Sequence, residues 1–234
     1  MRTPILICLL SASTVCMGQG VIPYHNLDPA DATAPPVAIM EGVPFPLDKY
    51  IRITTGSPYF SDSWMHGKVL LENGAISGML DLKLNMLDNT VLYLDPKGQE
   101  MVITAPLRYA TMTDSAGEPY YFLHGDQLTD EKDLKDTWFQ VLVNGSVSLC
   151  KHTRKGVRES KSYGSATTEQ SIQTSETFYV KRKKDLIRIK KWDDLLTLLD
   201  DKKELVSAYS KTHHLNGKTQ SDFIAVMTYY NSLQ

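Results

Sequence analysis

The clearest pattern in the chain runs from Leu80 to Met86. Leu80, Leu82, Leu84 and Met86 point one way, and Asp81, Lys83 and Asn85 point the other. A period of two over seven residues predicts a half-buried strand with one wet face. Shorter β-prone runs lie on both sides of it, at 51–53, 68–71, 91–94, 101–104, 107–112 and 120–123. Turn residues separate them: Gly56-Ser57-Pro58-Tyr59-Phe60, Glu72-Asn73-Gly74, Asp88-Asn89, Asp95-Pro96-Lys97-Gly98 and Asp114-Ser115-Ala116-Gly117. Parallel pairing needs crossovers of about a dozen residues, and these gaps are too short. The expected arrangement is therefore an antiparallel meander.

Further along, the runs 138–143 and 146–151 flank Asn144-Gly145. That dipeptide predicts a two-residue type I′ hairpin, in which both central residues take φ > 0. Residues 126–137 suit a loop or one helical turn, and the polar stretch 153–175 suits a solvated loop. Runs at 177–180 and 186–190 read as two strands joined by Lys181-Arg182-Lys183-Lys184-Asp185, a charged, wet hairpin tip. After Trp192 the apolar period lengthens to that of helices. Asp193 or Asp194 caps the first, carrying Leu195, Leu196, Leu198 and Leu199. Asp200 or Asp201 caps the second, and Thr219 or Ser221 the third, which carries Phe223, Ile224, Met227 and Tyr230. The expected class is α+β: an antiparallel β-meander over 49–191, as a curved sheet or partly closed barrel, with C-terminal α-helices over 192–234 packed on it.

The N-terminal end has a different character. A short positive head, an apolar run from Ile5 to Leu10 and small residues before Gln19 make residues 1–18 read as a secretory signal peptide. The apolar run is too short to span a bilayer, which takes about 20 residues. Neither Cys8 nor Cys16 has the neighbours of a lipid-anchor cysteine. Residues 19–48 hold six prolines and read as an extended arm. Cleavage would leave Cys150 as the only cysteine, so no intramolecular disulfide is expected and stability rests on the core. Charge is uneven: residues 19–150 hold eight Lys/Arg against seventeen Asp/Glu, and residues 151–191 hold twelve against four. Such an imbalance fits an anionic partner or, the favoured reading, two parts that pack on each other.

The search for chemistry gives little. No histidines stand at metal-ligand spacing, and His213-His214 diverge on a helix. No Gly-x-Ser-x-Gly elbow is present, and Tyr163-Gly164-Ser165 has no strand before it. Cys150 and His152 share a strand face but lack an orienting group, so Cys150 reads as structural. Asp81, Asp88 and Asp95 recur at a spacing of seven, the latter two in turns that account for them. Aromatic residues are dense in the strand region. Most belong to the core; Trp64, Tyr93, Tyr109, Tyr121 and Trp138 are the candidates for lining a ligand pocket in a curved sheet.

Several segments together resemble a family of exported, signal-peptide-bearing proteins of Bacteroidota to which no activity is assigned. They are Gly56-Ser57-Pro58-Tyr59-Phe60, residues 73–85, the hairpin 139–149, Phe178-Tyr179-Val180 through residue 191, and Tyr229-Tyr230-Asn231-Ser232. The resemblance implies export and brings no functional residues. The leading functional expectation is a non-catalytic binding or envelope-interaction protein, periplasmic or extracellular. Its partner would be a small apolar molecule or an envelope protein. No cofactor, nucleic acid or transmembrane helix in the mature chain is expected. The alternative is a periplasmic hydrolase using paired carboxylates. Export predicts that the protein from its own host begins near Gln19 on N-terminal sequencing; a retained Met1 would refute it.

Overall fold

The computed structural model describes residues 42–46, 48–161 and 169–233. The expected signal peptide, the arm as far as residue 41, and Tyr163-Gly164-Ser165 lie outside the described residues. Among those described, twelve strands form one sheet and three helices follow it. The strands are β1 (Gly42–Pro44), β2 (Ile53–Thr55), β3 (Met65–Leu71), β4 (Leu80–Asn85), β5 (Thr90–Leu94) and β6 (Glu100–Ile103). They continue with β7 (Leu107–Thr113), β8 (Pro119–His124), β9 (Trp138–Val143), β10 (Val147–Ser160), β11 (Glu169–Arg182) and β12 (Asp185–Ile189). The helices are α1 (Trp192–Leu198), α2 (Lys203–Thr212) and α3 (Gln220–Ser232).

Pairing runs β1-β6-β5-β4-β3-β7-β8-β9-β10-β11-β12, with β2 added alongside β11. All the ladders are antiparallel except the short β2–β11 pair. From β3 to β12 the expected meander holds with one break, between β6 and β7; β2, expected at the start of the meander, instead pairs in parallel with β11. In a flat sheet those strands would lie four spacings apart, about 19 Å. Both run antiparallel to an odd number of intervening partners, so the end of β6 and the start of β7 would also fall at opposite ends of the sheet. Thr104-Ala105-Pro106 reaches at most about 14 Å. The sheet must therefore coil until β6 turns a corner into β7. It is curved and remains open, with β1 and β12 at its edges.

The predicted alternation drives this coil. Leu82, Leu84 and Met86 are buried and gather with Met65, Val69, Val91, Tyr93, Ile103, Ala110, Met112, Phe122 and Trp138. Burying each large apolar side chain stabilises the fold by about 1.5–3 kcal/mol. Asn85, expected on the wet face, is fully buried. Its amide donates to the Tyr50 hydroxyl at 2.6 Å and to Asp88 at 3.0 Å, and its oxygen accepts the Leu87 and Asp88 N–H groups. Buried polar groups need such partners.

A second cluster lies between the helices and β9–β12. It joins Val147, Leu149, Val180 and Ile189 to Leu195, Leu199, Val206, Phe223, Val226, Met227 and Tyr230. The third helix is capped as expected, with Thr219 Oγ1 accepting the Asp222 N–H. On the opposite face of the sheet, Tyr109, Leu123, Phe139, Val141, Cys150 and Tyr179 pack beneath Leu128 and Leu134 of the β8–β9 loop. Alternation along β10 and β11 thus serves two clusters at once.

Three local expectations change. Residues 153–160 and 169–175, read as part of a loop, are strand: β10 and β11 pair in continuous register from Val147↔Arg182 to Ser160↔Glu169. Polar residues on both faces conceal this ribbon from a hydrophobicity pattern. Of the Pro-rich arm, Gly42–Pro44 is an edge strand on β6, where Pro44 is tolerated. The basic tip is shorter than read, with Lys183 at φ 55° in a tight turn. Lys181 Nζ donates to the Leu128 carbonyl at 2.6 Å, and Arg182 Nη1 to the Leu198 carbonyl at 3.0 Å. Two of the four cations therefore tie β11 to its neighbours.

The β9–β10 hairpin is confirmed, but Asn144-Gly145 is not a type I′ turn, because neither residue has φ > 0. Glycine is required by crowding instead. A Cβ at Gly145 would lie 2.4 Å from the Asn231 side-chain amide. That amide donates to the Val147 carbonyl at 2.9 Å and accepts the Val147 N–H at 3.2 Å, pinning α3 to the start of β10. Gly145→Ala is expected to destabilise the protein by about 1–3 kcal/mol and Asn231→Ala by about 1–2 kcal/mol. In a denaturation double-mutant cycle the two should be strongly non-additive, with Gly145→Ala nearly silent once Asn231 is truncated. Additive losses would show that the contact does not set the requirement for glycine.

Candidate functional site

The aromatic candidates do not converge on one cavity. Tyr93 and Trp138 lie inside the coil, 8% and 2% exposed, and are core residues. The Trp138 indole N–H donates to the Asn89 carbonyl at 3.2 Å. Tyr109 and Tyr121 pack in the cluster under the β8–β9 loop. Trp64 is half-buried outside both, with the Lys83 ammonium 4.4 Å from its ring centre and 4.9 Å from that of Tyr59.

The carboxylates of the spacing-seven series are also engaged. Asp81 pairs with His66 at 2.7 Å. Asp95 accepts the Lys97 and Gln99 N–H groups, both at 2.8 Å, within its own turn. Asp88 pairs with Lys49 at 2.6 Å and accepts from Tyr50 and Asn85. Burial alone would raise the Asp88 carboxyl; bonds from Lys49 and Tyr50 outweigh it and hold it below its ordinary value. Burial pushes Tyr59, beside this network, up to about 12. The network fastens residues 49–50 to the β4–β5 turn. Among the described residues, no three His, Cys, Asp or Glu side chains group as a metal site.

A cleft of about 540 Å³ opens on the loop-side face of β10–β12. Strand register builds its floor. His152 lies opposite Thr177, Arg154 opposite Ser175, and Tyr179 opposite Arg188. Met86, Leu87 and Asn89 of the β4–β5 turn form one wall, and Asp133, Leu134 and Thr137 of the β8–β9 loop form the other. His152 and Tyr179 are each 8% exposed. The His152 ring stacks on Phe139 at 4.9 Å and meets the edge of Tyr179 at 6.4 Å. Lys155 also lines the cleft, but its ammonium donates to the Ser57 and Tyr59 carbonyls and anchors the ribbon.

The electrostatics follow from burial. It holds the His152 imidazole below its ordinary value, and the nearby Arg154 adds to the effect. It raises the Tyr179 hydroxyl, partly opposed by Arg188. Cys150, one position along the same face, is fully buried and its thiol is pushed up to about 12. At neutral pH it is an uncharged core residue, as its sequence context implied. The acidic and basic segments face one another elsewhere: Asp126, Asp130 and Glu131 line one cavity with Lys181, Lys183 and Lys184.

Sequence reasoning paired Cys150 with His152 on one face but missed Arg154, Ser175, Thr177, Tyr179 and Arg188 as neighbours. The available signal was the alternate series Cys150, His152, Arg154, which a strand extended past residue 152 places on one side. No family model, curated protein or solved structure matches the chain.

Because the folded state disfavours protonated His152, the unfolded chain takes up that proton first. The His152 contribution to stability is complete above about pH 6.5 and declines as pH falls towards the lowered folded value. His152→Gln is expected to flatten this part of a urea-midpoint-against-pH curve. An unchanged slope would show that the ring is as hydrated as in the unfolded chain.

Proposed function

We propose that the protein is an exported, non-catalytic binding protein that holds a small ligand in the β10–β12 cleft. One observation carries this reading: the buried His152 and Tyr179 side chains form the floor of an opening of about 540 Å³, surrounded by hydrogen-bonding groups from three strands. A recess with a few convergent polar groups and perturbed titratable residues is the usual form of a ligand site. Export rests on the N-terminal pattern and on the resemblance to exported Bacteroidota proteins. Among the described residues, no helix is long and apolar enough to cross a membrane.

The hydrolase alternative has less support. Paired-carboxylate chemistry needs two acids across one substrate. Among the described lining residues the cleft presents one, Asp133. The recess also favours a small molecule over a flat envelope-protein contact, because His152 and Tyr179 lie behind the walls formed by residues 86–89 and 133–137.

Native mass spectrometry of protein purified from its own host is expected to show the mature chain carrying an added mass that denaturation releases. His152→Trp, which fills the cleft, should abolish the adduct. A bare chain, or an adduct retained in full by His152→Trp, would overturn the assignment of this cleft.

A further inference from the structure

We propose that the cleft takes a small soluble oxyanion, a carboxylate or a phosphate, seated over the His152–Thr177 pair and gripped by Arg154 and Arg188; this rests on the binding reading above. The lining cations are Arg154, Lys155 and Arg188, against the single carboxylate of Asp133. Lys155 already serves the Ser57 and Tyr59 carbonyls. Arg154 and Arg188 take part in none of the ion pairs among the described residues.

Register places the two arginines on opposite sides of the His152–Thr177 pair, Arg154 on β10 and Arg188 on β12. The Arg154–Ser175 pair is one step along the face from His152–Thr177, and the Tyr179–Arg188 pair is one step along it in the other direction. Each step is about 7 Å, so two long guanidinium side chains approach the central pair from opposite sides. Guanidinium groups favour planar, bidentate contact with carboxylate and phosphate oxygens. Thr177, Ser175 and the Tyr179 hydroxyl supply neutral donors around the same floor. Met86, Leu87 and Leu134 stand in the walls, where apolar groups exclude water and strengthen such contacts. A neutral apolar ligand would leave both guanidinium groups beside it without a counter-charge.

The test follows the His152 ring protons by NMR in the mature chain. Inorganic phosphate, succinate and phosphatidylglycerol vesicles are the probes. Phosphate or succinate is expected to shift the ring signals saturably. Affinity should fall at least tenfold in Arg154→Gln/Arg188→Gln and stay unchanged in Lys183→Gln/Lys184→Gln, at the exposed β11–β12 turn. The titration midpoint of His152 should rise when the anion is bound, because a nearby negative charge favours the imidazolium; a purely structural role for the arginines would not move it. Equal affinity in the double arginine variant would overturn the proposal, as would a response to vesicles alone. If a neutral host molecule shifts His152 and the anions do not, the ligand class falls and the binding site stands. If no small molecule of any charge shifts it, both fall.

Discussion

The corner between β6 and β7 is the constraint on which the architecture depends. A three-residue link cannot join those strands across a flat sheet. The chain resolves this by coiling β3–β7 around their own side chains, and the coil fixes which residues are interior. Leu82 and Leu84 of β4, Val91 and Tyr93 of β5 and Met112 of β7 face inward together only because the sheet wraps. Of the aromatic candidates for a ligand pocket, Tyr93 and Trp138 are consumed by this packing. A curved sheet can enclose a cavity or a core; here Tyr93, Phe122 and Trp138 lie in a core.

Beyond the coil, the same sheet continues as β9–β12 and is covered on both faces. Helices cover one face and the β8–β9 loop the other. The attachment of these parts relies on side chains that satisfy backbone groups: Asn231 on Val147, Lys181 on Leu128, Arg182 on Leu198, and Lys155 on Ser57 and Tyr59. Each link substitutes for a strand or helix partner that the backbone lacks at that point. The cleft opens where the β4–β5 turn at the rim of the coil and the β8–β9 loop leave the β10–β12 face uncovered between them.

The candidate site and the packed core meet across this face. Cys150 is sealed in the cluster under the loop, with its thiol protonated. His152, two residues on, borders both that cluster through Phe139 and the cleft. A titratable ring packed on one side and open on the other is sensitive to the charge of whatever occupies the cleft. The arginines flanking it are exposed and lack acidic partners among the described residues, so they remain available to a ligand.

Local patterns determined much of this protein. Period two from Leu80 to Met86, the turn sequences and the longer period after Trp192 specified antiparallel strands followed by three helices, because local geometry imposes those periods on any half-buried element. Thr219 capped its helix as read. The buried state of Asn85, the crowding at Gly145 and the extent of β10–β11 were not legible, for one shared reason. Each depends on a partner distant in sequence: Tyr50 for Asn85, Asn231 for Gly145, and the opposing strand for the polar ribbon. The candidate site is the extreme case. His152, Arg154, Thr177, Tyr179 and Arg188 carry no motif, and pairing register alone makes them neighbours. The sequence by itself determined most of the elements and the apolar inward face of β4; only the tertiary structure decided how far β10 and β11 extend, which aromatic residues are core and which polar residues share a cleft, since that follows from the coil and from long-range pairing.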